Sequence, residues 1–174
     1  LCREARALAT LDGLDGAPSL VSVSRDRLER AYVAGRPMQE AKPRDPDFYR
    51  RALRRLRRLH AAGVVHNDLA KEPNILASPL GDPVFIDYQL ASVSRHRGRL
   101  FRILAYEDVR HLLKHKRTYC AEALTARQRR ILANPSSLSR GFRRIVKPAY
   151  LFVTRTLLGW ADREGAGDRG GRRA

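Results

Sequence analysis

A mixed α+β fold is expected from this sequence on three observations. Residues 45–63, DPDFYRRALRRLRRLHAAG, repeat apolar side chains at helical spacing. Two short apolar runs, NILA (74–77) and VFID (84–87), flank the turn-forming SPLGDP, which is the pattern of a hairpin. Downstream, 106–117, 125–133 and 138–160 return to helical periodicity.

The elements follow in order. Leu1, Ala5, Leu8 and Leu11 line one face of a helix over 1–11, and DGLDGAP (12–18) stops it with two glycines and a proline. SLVSV (19–23) and RAYVAG (30–35) have the length and turn boundaries of strands. In the helix that follows, Asp45 caps, Pro46 suits the first helical position and Gly63 supplies the stop. Phe48, Ala52, Leu53, Leu56 and Leu59 form its apolar stripe. Arg50, Arg51, Arg54, Arg57 and Arg58 then fall mostly on the wet side, where a solvated face is preferred to a dedicated anion site. The segment 138–160 is interrupted at Pro148, and the Gly/Arg-rich end, 162–174, is expected to be disordered.

Composition narrows the function classes. A chain of 174 residues, 43% hydrophobic, can bury one sizeable core. Cys2 and Cys120 lie far apart and outside any C-x-x-C spacing, which argues against a disulfide framework or zinc knuckle and for a reducing, cytoplasmic setting. No run approaches the roughly 20 apolar residues of a bilayer span, and LCREARAL lacks the shape of a secretion signal. Because the chain begins with Leu, further residues are expected before Leu1. A net charge of +17 favours anionic partners: nucleic acid, acidic lipid or a phosphorylated ligand. The arginines are not interleaved with aromatic residues, which weakens a single-strand nucleic-acid reading.

The polar loop GVVHNDLAKEPNIL (63–76) sits between two apolar patches, so its middle should lie at a protected rim. Asn74 precedes the first hairpin strand and Asp87 ends the second, so antiparallel pairing brings both to the same end, with Asp68 in reach. Two oxygen ligands plus a further carboxylate suit Mg²⁺, which keeps several waters and binds through few protein groups and substrate phosphates.

HNDLAKEPNIL followed by FIDYQLA resembles the catalytic loop and metal-binding segment of the protein-kinase-like superfamily, in particular its bacterial RIO-type and lipopolysaccharide-kinase branch. The resemblance implies a kinase-like α+β fold, mostly the helical C-lobe with its catalytic-loop hairpin. Residues 1–35 would be a remnant of the N-lobe, 36–161 the C-lobe and 162–174 a tail. It implies that Asp68 orients or deprotonates an acceptor hydroxyl, that Lys71 neutralises charge on the transferred phosphoryl group, and that Asn74 and Asp87 hold Mg²⁺ on the phosphates of ATP. His66 would fix the loop. Glu4 stands where these kinases place the glutamate that pairs with a nucleotide-binding lysine, RAYVAGRPM (30–38) resembles the hinge strand, and 46–62 resembles the helix before the catalytic loop. The implied activity is ATP-dependent phosphorylation of a hydroxyl acceptor, a protein serine or an anionic glycolipid sugar. Peripheral contact with an acidic inner membrane is compatible with the charge, and no specific nucleic acid is expected.

The sequence also departs from the family pattern. The interval from Asp68 to Asn74 is one residue longer than usual, which calls for a bulge near Glu72-Pro73. Tyr88-Gln89 replaces the usual Phe-Gly, no Ala-Pro-Glu follows, and only SVSRHRGRL (92–100) stands in for an activation segment. No G-x-G-x-x-G loop and no Val-Ala-x-Lys strand occur. A catalytically silent regulatory module and a basic nucleic-acid-binding protein are therefore the rival readings. His111 and His115, one helical turn apart, are compatible with zinc, but no third ligand is evident and Arg110, Lys114 and Lys116 would repel it. A basic solvated helix face is preferred there. AYLFVTRTLLGW (149–160) is read as packing on the core in preference to lying in a membrane interface.

Overall fold

Leu8, Leu11, Leu56 and Leu59, placed at helical spacing by the sequence, all lie at the centre of one core. The structure, a computed structural model, describes residues 2–134. The expected interruption at Pro148, the 149–160 stretch and the 162–174 tail lie outside the described residues.

The chain is α+β. Helix α1 (Cys2–Thr10) leads to a hairpin of β1 (Leu20–Val23) and β2 (Leu28–Arg30), then to β3 (Arg36–Pro37), α2 (Met38–Ala41) and the long α3 (Pro46–Ala61). β4 (Val64–Val65) enters the polar loop, which closes in a 3₁₀ turn at Glu72–Asn74. β5 (Ile75–Ala77), β6 (Pro83–Phe85) and β7 (Ser92–Val93) precede α4 (Arg99–Tyr119), a second 3₁₀ turn at Ala121–Ala123 and α5 (Ala126–Ala133). Three small antiparallel sheets result: β1-β2, β3-β5-β6 and β4-β7.

α3 forms as its sequence dictates. The Asp45 carboxylate accepts from the Asp47 and Phe48 amides, Pro46 opens the helix, and Gly63 ends it at φ 83°. A Cβ at Gly63 would come within 2.5 Å of the Ser94 carbonyl oxygen, so glycine is needed both for the backbone and for the close approach. Tyr49, absent from the expected stripe, is fully buried beside it, its hydroxyl donating to the Pro43 carbonyl.

Arg51 leaves the expected wet face, and Arg55, which was not placed on it, joins the same partner. Arg51 Nε lies 2.9 Å from Asp82 Oδ1, and Arg55 reaches Asp82 Oδ2 at 3.2 Å and the Pro83 carbonyl. They tie α3 to the β5–β6 turn, while Arg54 and Arg57 remain exposed.

The structure corrects three further expectations. RAYVAG is not a strand: β2 ends at Arg30, because the β1 hairpin turns at residues 24–27 and pairs Leu20 with Arg30 and Val23 with Leu28. The helix expected at 106–117 begins seven residues earlier, at Arg99, with Gly98 as its cap. Within SVSRHRGRL, Ser92-Val93 pairs with Val64-Val65 and Arg99 is already helical. The basic stretch of α4 is not solvated: Arg110, His115 and Lys116 are all buried. Arg110 donates to the Ile131 and Leu132 carbonyls of α5 and pairs with Glu107 at 3.1 Å, so its charge serves helix-helix packing. Burial and the Lys114 ammonium lower the His111 pKa to about 4, and among the described residues no three His, Cys, Asp or Glu side chains gather as a metal site.

Candidate functional site

Antiparallel pairing sets the geometry of the rim. Ile75 pairs with Phe85, and one residue further the Ile86 amide donates to the Asn74 carbonyl at 2.9 Å, so Asn74 and Asp87 emerge at the same end of the hairpin. The loop closes in the 3₁₀ turn at Glu72–Asn74 immediately before β5. Asn74 then faces back across the loop. Its Nδ2 donates to the Asp68 backbone carbonyl at 3.0 Å and to Asp68 Oδ2 at 2.9 Å, which commits the amide nitrogen to Asp68.

Asp68 is 8% exposed. Its Oδ2 also receives Lys71 Nζ at 2.8 Å, and that hydrogen bond raises the lysine pKa. The Lys71 side chain is otherwise in solvent, so this pair positions charge more than it stabilises the fold. Asp87 is partly exposed and lies close enough for its charge to act on both Lys71 and His66. Its backbone is left-handed, φ 64°, as is that of Asn67, φ 66°. Non-glycine residues adopt this region infrequently, and such strain gathers where function over-determines the backbone.

His66 fixes the loop from inside. Nε2 lies 3.0 Å from the Ile86 carbonyl and Nδ1 lies 3.3 Å from the Asp68 amide. One tautomer satisfies both, with Nε2 protonated and Nδ1 accepting. Burial lowers the His66 pKa, in keeping with that neutral ring. Tyr88, following Asp87, lies tilted against His66 at 4.7 Å between ring centroids and is fully buried, its hydroxyl without a partner among the described residues.

Several positioning residues are not singled out by the sequence reading, which weighs His115 only as a zinc ligand. Asp108, 1% exposed on α4, accepts the His66 amide at 2.8 Å and the Asn67 amide at 3.0 Å and lies 3.2 Å from His60 Nε2. Asn67 Nδ2 donates to the Leu90 carbonyl and to Ser92 Oγ. On α4, His115 Nε2 lies 2.8 Å from the Leu69 carbonyl and the Tyr119 hydroxyl donates to Glu72 Oε2 at 2.5 Å. The available signal for Asp108 was its register: it shares a helix face with Phe101, Leu112 and His115, and an acid on an apolar stripe needs buried donors.

Glu4 is 8% exposed and bonded at 2.8 Å to Arg30 of β2. Among the described bonds none joins it to Asp68, Asn74 or Asp87. Searches against protein-family models and curated proteins find no match for this chain.

Proposed function

We propose that the chain is the catalytic-loop part of an ATP- and Mg²⁺-dependent phosphotransferase of protein-kinase-like fold, acting on a hydroxyl acceptor. The observation that carries this reading is the Asp68–Asn74 pair, bonded at 2.9 Å and set beside Asp87 by hairpin register. The residues fit the ion: the Asn74 amide oxygen and the Asp87 carboxylate are hard oxygen donors, and Mg²⁺ takes its other ligands from phosphates and water. Bound there, Mg²⁺ would neutralise charge on the nucleotide phosphates.

Each residue then has a task. Asp68 Oδ2 is occupied by Lys71 and Asn74, which leaves Oδ1 to orient the acceptor hydroxyl and take its proton. The acceptor oxygen forms a bond to the γ-phosphorus as the bridging β–γ P–O bond breaks and ADP leaves. Lys71, on the exposed side of Asp68, offers its ammonium to the transferred group. His66 and Asp108 keep the loop in register for this attack.

A silent regulatory module of the same fold is the second reading: Glu4, the glutamate the resemblance pairs with a nucleotide-binding lysine, is bonded to Arg30 in this structure. Paired variants decide between them. Asp87→Asn should abolish Mg²⁺-dependent ATP binding measured by titration calorimetry, with melting temperature unchanged. Asp68→Asn should keep that affinity and lose transfer of labelled γ-phosphate, water included as acceptor, by about 10³-fold. Absence of Mg²⁺-dependent binding in the parent protein, or unchanged turnover in both variants, would sink the catalytic reading.

A further inference from the structure

We propose that the cavity between the α2–α3 connection and the C-terminal end of α4 is an oxyanion pocket that holds an acidic group, phosphate or carboxylate, of the acceptor. This role rests on the phosphotransfer reading above. The cavity is about 470 Å³ and is lined by Lys42, Arg44, Thr118, Tyr119, Ala121 and Glu122. Lys42 closes α2 in a left-handed conformation, φ 43°, its amide donating to the Met38 carbonyl, and this turn brings the chain through Lys42 and Arg44 along the cavity wall.

Charge in this corner is not balanced. Among the described residues neither Lys42 nor Arg44 is within 4 Å of a carboxylate, although Arg44 acts at longer range on Glu122. Lys116, 3% exposed in the last turn of α4, donates to the neutral Gln128 Oε1 and also acts on Glu122. Lys42 and Arg44 thus share the cavity lining with one carboxylate, Glu122. The C-terminal end of α4 contributes only a partial negative charge, which Lys116 and Arg117 in its last turn offset.

The cavity is also joined to the catalytic loop. Tyr119, in its wall, bonds to Glu72, four residues after Asp68, and His115, one turn earlier on α4, holds the Leu69 carbonyl. An acceptor anchored by an anionic group at Lys42 and Arg44 would therefore lie along the wall that carries the loop. Lysine and arginine donors bind oxyanions through short charge-assisted hydrogen bonds.

Amide chemical shifts of the full chain, followed at constant ionic strength during titration with inorganic phosphate and, separately, acetate, test the pocket. Saturable shifts at Lys42, Arg44, Thr118 and Tyr119 are expected, and the arm with the tighter response assigns the anion as phosphate or carboxylate. Lys42→Gln/Arg44→Gln should weaken that binding about tenfold or more, the loss of at least one charge-assisted contact, whereas Arg54→Gln/Arg57→Gln on α3 should not. No saturable shift with either anion, or equal loss in the α3 variant, overturns the pocket. Mg²⁺·ATP is titrated in parallel and should bind together with the anion. Competition between them overturns the acceptor assignment, as the cavity would then belong to the nucleotide. Mg²⁺·ATP binding without anion binding defeats this inference alone, and anion binding without Mg²⁺·ATP binding defeats the phosphotransfer reading and the acceptor role with it.

Discussion

Asp108 holds two successive backbone amides of the polar loop while facing His60, and it does so at 1% exposure. Asp108→Asn removes the charge and presents an amide nitrogen where an acceptor is needed, so one buried N–H loses its partner. The expected loss of stability is about 2–4 kcal/mol, read by urea unfolding. Loop amides 66–68 should also exchange faster with solvent. A variant as stable as the parent would mean that Asp108 does not hold the loop. The contrast with Asp68, Asn74 and Asp87 is physical. Those three are legible because chain order and hairpin pairing alone place them at one end of the hairpin. Asp108 was not, because its partners are backbone groups over 40 residues away, and a backbone amide leaves no mark in sequence.

Elements whose ends are fixed by local chemistry were readable. α3 has a cap, a proline and a terminal glycine, and the β5–β6 hairpin has a turn that only one register satisfies. β2 was misplaced because its exposed hairpin has no apolar alternation to pin it, and α4 was cut short because its first turns, RLFRIL, mix arginine with apolar side chains. Long-range ion pairs were equally hidden: Arg51 reads as part of a mostly wet face until Asp82 appears beside it. Asp82→Ala should cost about 1 kcal/mol, since both bridges are partly exposed, whereas Arg54→Ala on the same helix should stay within about 0.5 kcal/mol. Thermal melts of the two variants check the difference. Equal effects would mean that Arg51 and Arg55 are no more structural than their neighbours.

Across the described residues, from α1 to the end of α4, the core is continuous, so groups buried in a fixed charge state act on one cooperative unit. His111 is held neutral by burial and by Lys114, with its pKa lowered to about 4, and burial lowers that of His66. In the unfolded chain both take up a proton near pH 6.5. The unfolded state then binds more protons than the folded state between that value and the lowered one, so stability falls as pH drops through this window. At high pH the sign reverses for Tyr49 and Tyr88, whose pKa values are raised by burial. The unfolded chain releases those protons near pH 10 while the folded chain keeps them, and stability again declines. The melting temperature should therefore be highest between about pH 7 and pH 9 and fall on both sides. His111→Gln, which keeps an acceptor for Lys114 but cannot titrate, should flatten the acid side by roughly 2 kcal/mol between pH 6.5 and pH 4 and leave the alkaline side unchanged. An acid slope identical to that of the parent would mean that His111 charges in the folded state as freely as in the unfolded one.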